Sequence, residues 1–279
     1  MIEVKNLVKE FEGRVVLDDI SVNLKRGRVN IIIGKSGSGK TVLLKCLIGL
    51  IRPTSGTIRY NGVNIMEMKQ KEIKKLRRDM GMLFQGSALF DSKTVLENVM
   101  FPLDMFSRKN KRERRKRAEF CLERVNLSHA ADLSPSEISG GMMKRVAIAR
   151  AIALNPKYLF CDEPNSGLDP KTSQLIDELI YDITNDFGMT TIVVSHDMNS
   201  VMNIGDNIVF LNEGLKEWEG NKSEIMDAEN EALNEFVFAS DLFKKIKEAD
   251  YIIAENEEWE EKEEKRLQEI ERERRKTYD

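Results

Sequence analysis

The stretch GKSGSGKT, Gly34 to Thr41, does most to restrict what this chain can fold into. It fits the pattern G-x-x-x-x-G-K-[S/T], follows the largely apolar strand Val29 to Ile33 and opens an apolar segment that reaches about Gly49. Strand, glycine-rich loop and helix in that order gather backbone N–H groups around an anion, with the positive end of the helix dipole behind them. Bulky side chains at Gly34, Gly37 and Gly39 would block the approach, and Lys35, Ser36 and Ser38 complete the cradle. Lys40 then reaches the β and γ phosphates of a nucleoside triphosphate, and Thr41 ligates its magnesium ion.

A second segment, YLFCDE, is an apolar strand that ends in two carboxylates, Asp162 and Glu163. Consecutive strand residues point to opposite faces, so the two acids take different tasks. Asp162 is expected to hold the magnesium shell and Glu163 to orient and polarise the attacking water. Gln85 ends the strand MGMLFQ, and His196 ends TTIVVSH. In parallel α/β sheets ligands bind beyond the carboxyl ends of strands, which brings these polar ends to the phosphate loop.

Around that centre the chain is mixed. IEVKNLVKEFEG and VVLDDISVNLKRG alternate with period two and end at Gly13 and Gly27, as strands of an antiparallel sheet do. GTIRYNGVNI reads as a hairpin turning at Asn61-Gly62. From about residue 88 to 155 the pattern is helical, with a basic run from Arg108 to Arg117 that reads as a solvated helix face, and strands return at YLFCDEP, TTIVVSH and NIVFLNEG. Beyond about Ser240, Leu242, Ile246, Ala249 and Ile253 keep helical spacing, and AENEEWEEKEEKRLQEIERERRK after them is almost all charge, without Gly or Pro. The expected division is a nucleotide-binding domain over 1–239 and a charged helical extension over 240–279.

Composition narrows the function classes. Among 279 residues, 41% are hydrophobic and 33% charged, as in a soluble globular protein, and the net charge of −3 lacks the basic excess of a nucleic-acid binder. No nucleic-acid partner is expected. Cys46, Cys121 and Cys161 lie far apart in apolar stretches, without metal-ligand spacing, and read as reduced core residues of a cytosolic protein. No apolar run approaches the roughly 18 to 20 residues of a membrane span, so work at a membrane requires docking on another chain.

The ordered set GKSGSGKT, Gln85, ISGGMMKRVAIARA, YLFCDEP, SGLDP and SHD resembles the ATP-binding subunit of ABC transporters over residues 1 to about 235. The resemblance implies an α/β fold, a P-loop NTPase cassette with a RecA-like core, an antiparallel β subdomain and an inserted helical subdomain, here with a C-terminal helical extension. It implies ATP and Mg2+ as cofactors and ATP hydrolysis as the activity. It also implies a head-to-tail homodimer in which Ser139, Gly140 and Gly141 serve the γ-phosphate of a nucleotide held by the other chain. Ser166, Gly167, Leu168 and Asp169 would cross the dimer interface, His196 would contact the γ-phosphate, Gln85 would sense magnesium and water, and Phe11, on a short edge strand, would stack on adenine. Integral membrane permease subunits are the implied partners, and the cytoplasmic face of the inner membrane the implied location.

A narrower resemblance concerns the cargo. GSALFDSKTVLENVMFPL, Gly86 to Leu103, together with Met142 in the interface motif, is similar to the ATPases of MCE-type lipid transport systems, the Mla phospholipid-trafficking group. Lipid trafficking with an MCE-type protein in the complex is the leading expectation. Lipoprotein release, cell-division signalling and small-solute uptake remain open, and a non-transport ABC ATPase stands behind them.

Overall fold

The computed structural model of the chain describes residues 1–239 and 243–245. Of the helical extension expected over 240–279, all but those last three residues lie outside the described residues. Two compact units divide the chain, Met1–Asp227 and Ala228–Asp279.

The first unit begins with two long strands, β1 (Ile2–Phe11) and β2 (Arg14–Leu24), followed by the fully buried β3 (Val29–Ile33) and, after the glycine loop, by α1 (Lys40–Leu47). β4 (Ser55–Tyr60) and β5 (Val63–Asn64) form the expected hairpin. Asn61 and Gly62 at its turn have φ 49° and 86°, the left-handed pair whose twist matches that of the flanking strands. α2 (Gln70–Arg78) leads to β6 (Met80–Leu83), and the helical insertion supplies α3 (Val95–Phe106), α4 (Lys111–Arg124) and α5 (Gly140–Ile152). The chain then alternates through β7 (Tyr158–Asp162), α6 (Pro170–Phe187), β8 (Thr190–Ser195), α7 (Met198–Ile204), β9 (Asn207–Asn212) and β10 (Leu215–Gly220). In the second unit α8 (Glu231–Val237) starts at Asn230, whose side chain accepts from the Leu233 N–H.

The strands form two sheets. One is antiparallel in the order β2-β1-β4-β5, and the other runs β10-β9-β3-β8-β7-β6, parallel except for its β10 edge. This is the α/β architecture with an antiparallel subdomain and a helical insertion that the resemblance implied. One detail differs: β1, which carries Phe11, is an inner strand, because β4 pairs on the side away from β2.

One apolar cluster joins the sheets through α1. Ile2, Leu7 and Leu24 of the first sheet, Leu43, Leu44 and Leu47 of α1, and Phe160, Ile192 and Val209 of the second all belong to it. Each such burial contributes about 1.5–3 kcal/mol, and together they fix the glycine loop between the sheets. Cys46, Cys121 and Cys161 are buried and unpaired, as a reduced core requires.

The basic run is less uniformly solvated than its composition suggests. Arg114 pairs with Asp104 at 3.1 Å and Arg115 with Glu119 at 2.8 Å. Arg117 donates to the carbonyls of Ile152 (2.8 Å) and Ala153 (3.0 Å), closing the otherwise unsatisfied end of α5. Within α3, the fully buried Asn98 binds the loop before it, accepting from the Phe90 N–H at 2.8 Å and donating to the carbonyls of Phe90, Lys93 and Thr94.

Candidate nucleotide site

The glycine loop is shaped by close backbone approach. A Cβ on Gly34 would stand 2.1 Å from the Leu211 carbonyl oxygen, and one on Gly39 would stand 2.7 Å from Leu17 Cδ2 and 2.9 Å from the Val16 oxygen. Both glycines have positive φ, 151° and 97°, so packing and conformation each demand glycine. The Lys40 side chain folds back across the loop, its Nζ donating to the Gly34 and Lys35 carbonyls at 2.8 Å each. Burial depresses its pKa, while the carboxylates of Glu163 and Asp162 push the other way. Ser38 donates its N–H to the Lys35 carbonyl at 3.2 Å; its buried hydroxyl has no hydrogen-bond partner among the described residues. An incoming oxyanion would satisfy it.

Beside the loop, Thr41 Oγ1 donates to Asp162 Oδ1 at 3.1 Å. Burial raises the Asp162 pKa; the Thr41 hydrogen bond opposes that and the charge of Glu163 adds to it. A hydroxyl and a carboxylate oxygen side by side suit magnesium, which binds through one or two protein oxygens plus phosphates and water. Among the described residues no group of three or more His, Cys, Asp or Glu forms an all-protein metal cage.

Glu163 is the first residue beyond β7 and has φ 45°, rare for a side chain of this size. Its N–H donates to the Val194 carbonyl at 3.0 Å, which holds the turned backbone against β8. The two acids therefore part because the backbone leaves the strand, and the alternation of a pleat is not the cause. Glu163 Oε2 accepts from Gln85 Nε2 at 3.1 Å and Oε1 lies 3.2 Å from His196 Nδ1. Gln85 Nε2 also reaches Ser166 Oγ at 3.2 Å. β6 and β8 stop at Leu83 and Ser195, so Gln85 and His196 sit on the loops beyond the strands rather than at their last residues.

Gly34 to Thr41, Asp162, Glu163, Gln85 and His196 thus converge. The remaining candidates make local contacts. Ser139 is the N-cap of α5 and accepts from the Met142 N–H at 3.2 Å. Gly140 and Gly141 open that helix, and a Cβ on Gly141 would stand 2.6 Å from Thr172 Cγ2 of α6. Asp169 caps α6, accepting from the Thr172 N–H at 3.0 Å and from its hydroxyl at 2.5 Å. Phe11 is 41% exposed with Lys9 Nζ 4.4 Å from its ring centroid, so a cation already covers one face of the ring.

Two further residues hold the site together. Lys144 Nζ donates to the Gln85 carbonyl, and Arg150 donates to the carbonyls of Ser87 and Ala88 at 2.6 Å each. Ser87 and Ala88 are both left-handed, at φ 61° and 49°, a strained turn that these cations clamp from α5. The signal was present in the sequence: Lys144 and Arg145 precede, and Arg150 follows, the apolar segment VAIA of that helix.

A family model described as "ABC transporter" matches residues 17–166. The methionine import ATP-binding protein MetN 1 of Oceanobacillus iheyensis is 39% identical over 237 residues, covering 84% of this chain and 70% of that protein. A methionine import ATP-binding protein of Campylobacter jejuni is 38% identical over 257 residues, covering 86% of this chain and 76% of its own length. Among solved structures, a bacterial ABC transporter cassette in dimeric form matches with a TM-score of 0.72 and 36% identity over 79% of this chain and 98% of that one. The same values hold for a post-hydrolysis state of that cassette bound to ADP and phosphate.

Proposed function

The chain belongs to the ABC transporter family as an ATP-binding subunit, and on that premise we propose that two copies, joined head to tail, power a membrane permease for the uptake of a small solute. It is an ATPase coupled to transport and uses ATP with Mg2+. The observation that carries the reading of the site is Glu163, held between Gln85 and His196 one residue after the Asp162 that contacts Thr41 of the phosphate loop.

Each residue has a physical task in this reading. Loop N–H groups and Lys40 bind the phosphates, and Thr41 and Asp162 hold the cation's protein side. Magnesium, when bound, offsets charge on the β and γ phosphates. Glu163 orients the attacking water and accepts its proton, while Gln85 and His196 fix that carboxylate from two sides. Ser139, Gly140 and Gly141 serve the partner copy's γ-phosphate, and Asp169 lies on the segment that crosses to it. Phe11 supports the adenine. The nucleotide-binding residues all lie within Met1–Asp227, so the division expected at 239/240 falls inside the second compact unit; the pair sits at the cytoplasmic face of the membrane through its permease.

For the cargo, the similarity to methionine import proteins supports small-solute uptake, an amino acid in the first instance, over the phospholipid traffic expected from the sequence. These relatives lend no support to the MCE-type partner expected from the sequence. A second reading, lipid transport, rests on Met142 and the Gly86 to Leu103 segment alone. Recovering the complex from native membranes and assaying its ATPase separates the two. Stimulation by methionine or another amino acid with a binding protein supports uptake; stimulation by phospholipid alone transfers the assignment to the second reading.

A further inference from the structure

We propose that Asp177 is a positioning residue for hydrolysis, acting with Asn165 and Ser200 to fix the two arms that hold Glu163. The inference rests on the reading of Glu163 as the residue that orients water.

Asp177 lies on α6 and is 1% exposed. Asn165 belongs to the turn that follows Glu163, and Ser200 belongs to α7, the helix that follows His196. Asn165 Nδ2 donates to Asp177 Oδ1 at 2.8 Å and to Ser200 Oγ at 2.9 Å, with the Ser200 hydroxyl beside the Asp177 carboxylate. Three elements that are separate in sequence are closed into one triangle.

The arrangement is expensive. A carboxylate buried with two neutral donors, and with Asp197 and Glu178 as its charged neighbours, loses more hydration than it regains. Asn165 Oδ1 is also buried without a hydrogen-bond partner among the described residues. An apolar side chain would pack the inner face of α6 at lower cost, so what the polar triangle provides is geometry. On one side it fixes the turn that carries Glu163 and Ser166, both of which bind the Gln85 amide. On the other it fixes the start of α7, where Asp197 caps the helix directly after His196. The 3.2 Å spacing between His196 Nδ1 and Glu163 Oε1 is set between these two arms.

The test is steady-state ATPase kinetics of the full chain with Ser200→Ala, Asp177→Ala and Asp177→Asn, beside Glu163→Gln. A displacement of about 1 Å at a reacting group costs about 100-fold, so Asp177→Ala should lower kcat by up to that factor while KM and nucleotide affinity stay unchanged. Asp177→Asn keeps an oxygen acceptor and should restore most of the rate. The double variant Ser200→Ala with Asp177→Ala should lose little beyond Asp177→Ala alone. Wild-type kcat in Ser200→Ala and Asp177→Ala, with Glu163→Gln inactive, overturns the proposal and leaves the site intact. Wild-type turnover in Glu163→Gln removes the site reading and the proposal with it. Ser200→Ala deletes only one hydroxyl, so it decides the matter if Asp177→Ala does not fold.

Discussion

Lys40→Met separates the two things that Lys40 does. Without nucleotide, its ammonium bonds two neutral carbonyls at 2.8 Å each, and burial of the charge opposes that gain. Methionine fills the same path without the charge, so the gain and the cost vanish together and the nucleotide-free melting temperature changes little. With nucleotide, the same ammonium would meet phosphate oxygens, and a charge-assisted contact of that kind is worth about 1.5–3 kcal/mol. Near the upper end, affinity for ATP falls about 100-fold. At an ATP concentration about 100 times the wild-type Kd, the ligand stabilises the wild type by about 2.7 kcal/mol and the variant by only about 0.4 kcal/mol. For a domain of this size those energies correspond to shifts of about 5–11 °C and about 1–2 °C. Thermal melts of both proteins with and without ATP and Mg2+ read them directly. A variant that keeps the full ATP-induced shift would refute the assignment of Lys40 to the phosphates; one that loses stability before ATP is added would refute the accounting of its buried charge.

Three further outcomes follow from the same geometry. Glu163→Gln should retain ATP binding, lose turnover by about 1,000-fold or more, and accumulate as an ATP-bound dimer detectable by size-exclusion chromatography. Ser139→Ala should cost about 1 kcal/mol of stability through the lost helix cap and also lose turnover; mixing it with inactive Lys40→Met should restore activity, since a head-to-tail pair of the two contains one intact composite site. No recovery on mixing would place Ser139 in the cap alone. Burial raises Asp177 to about 6, so between the unfolded value near 4 and that pH the folded chain binds a proton that the unfolded chain has released. Stability from this group therefore falls as pH rises from about 4 through about 6, by about 3 kcal/mol, and Asp177→Asn should lack that decline in urea unfolding at the two ends of the range.

The parts of the site that follow from local chain chemistry were legible in the sequence. A buried strand of four apolar residues and one asparagine, glycines and a lysine dictate the loop, because its conformation is decided by neighbours in sequence. Asp162 was legible for the same reason. The position of Glu163 was legible but its cause was not, since a left-handed non-glycine residue is imposed by β8 from another part of the chain. Lys144 and Arg150, which grip a loop 59 to 63 residues away, left only a faint trace as charges in an apolar helix. The Asn165, Asp177 and Ser200 triangle left none, because each residue alone is an ordinary polar residue and only the packing of α6 and α7 brings them together. The inner position of β1 depends on which strand pairs with its second edge, and alternation does not encode that. In the proposed function the cargo is bound by other chains, so the cassette's own residues carry no pattern for it.

The start of α5 links these observations. Gly141 leaves room for Thr172, whose N–H and hydroxyl both bind Asp169, so the segments assigned to the partner's nucleotide share one residue. The later turns of the same helix carry Lys144 and Arg150, which grip the backbone of Gln85, Ser87 and Ala88. A rotation of α5 would therefore move Ser139 and the Gln85 loop together. Gln85 holds Glu163 by a single hydrogen bond of 3.1 Å. Within the proposed dimer, such a rotation would therefore strain that bond. Release of the water-orienting carboxylate and withdrawal of Ser139 from the neighbour's phosphate would then be one motion of one helix.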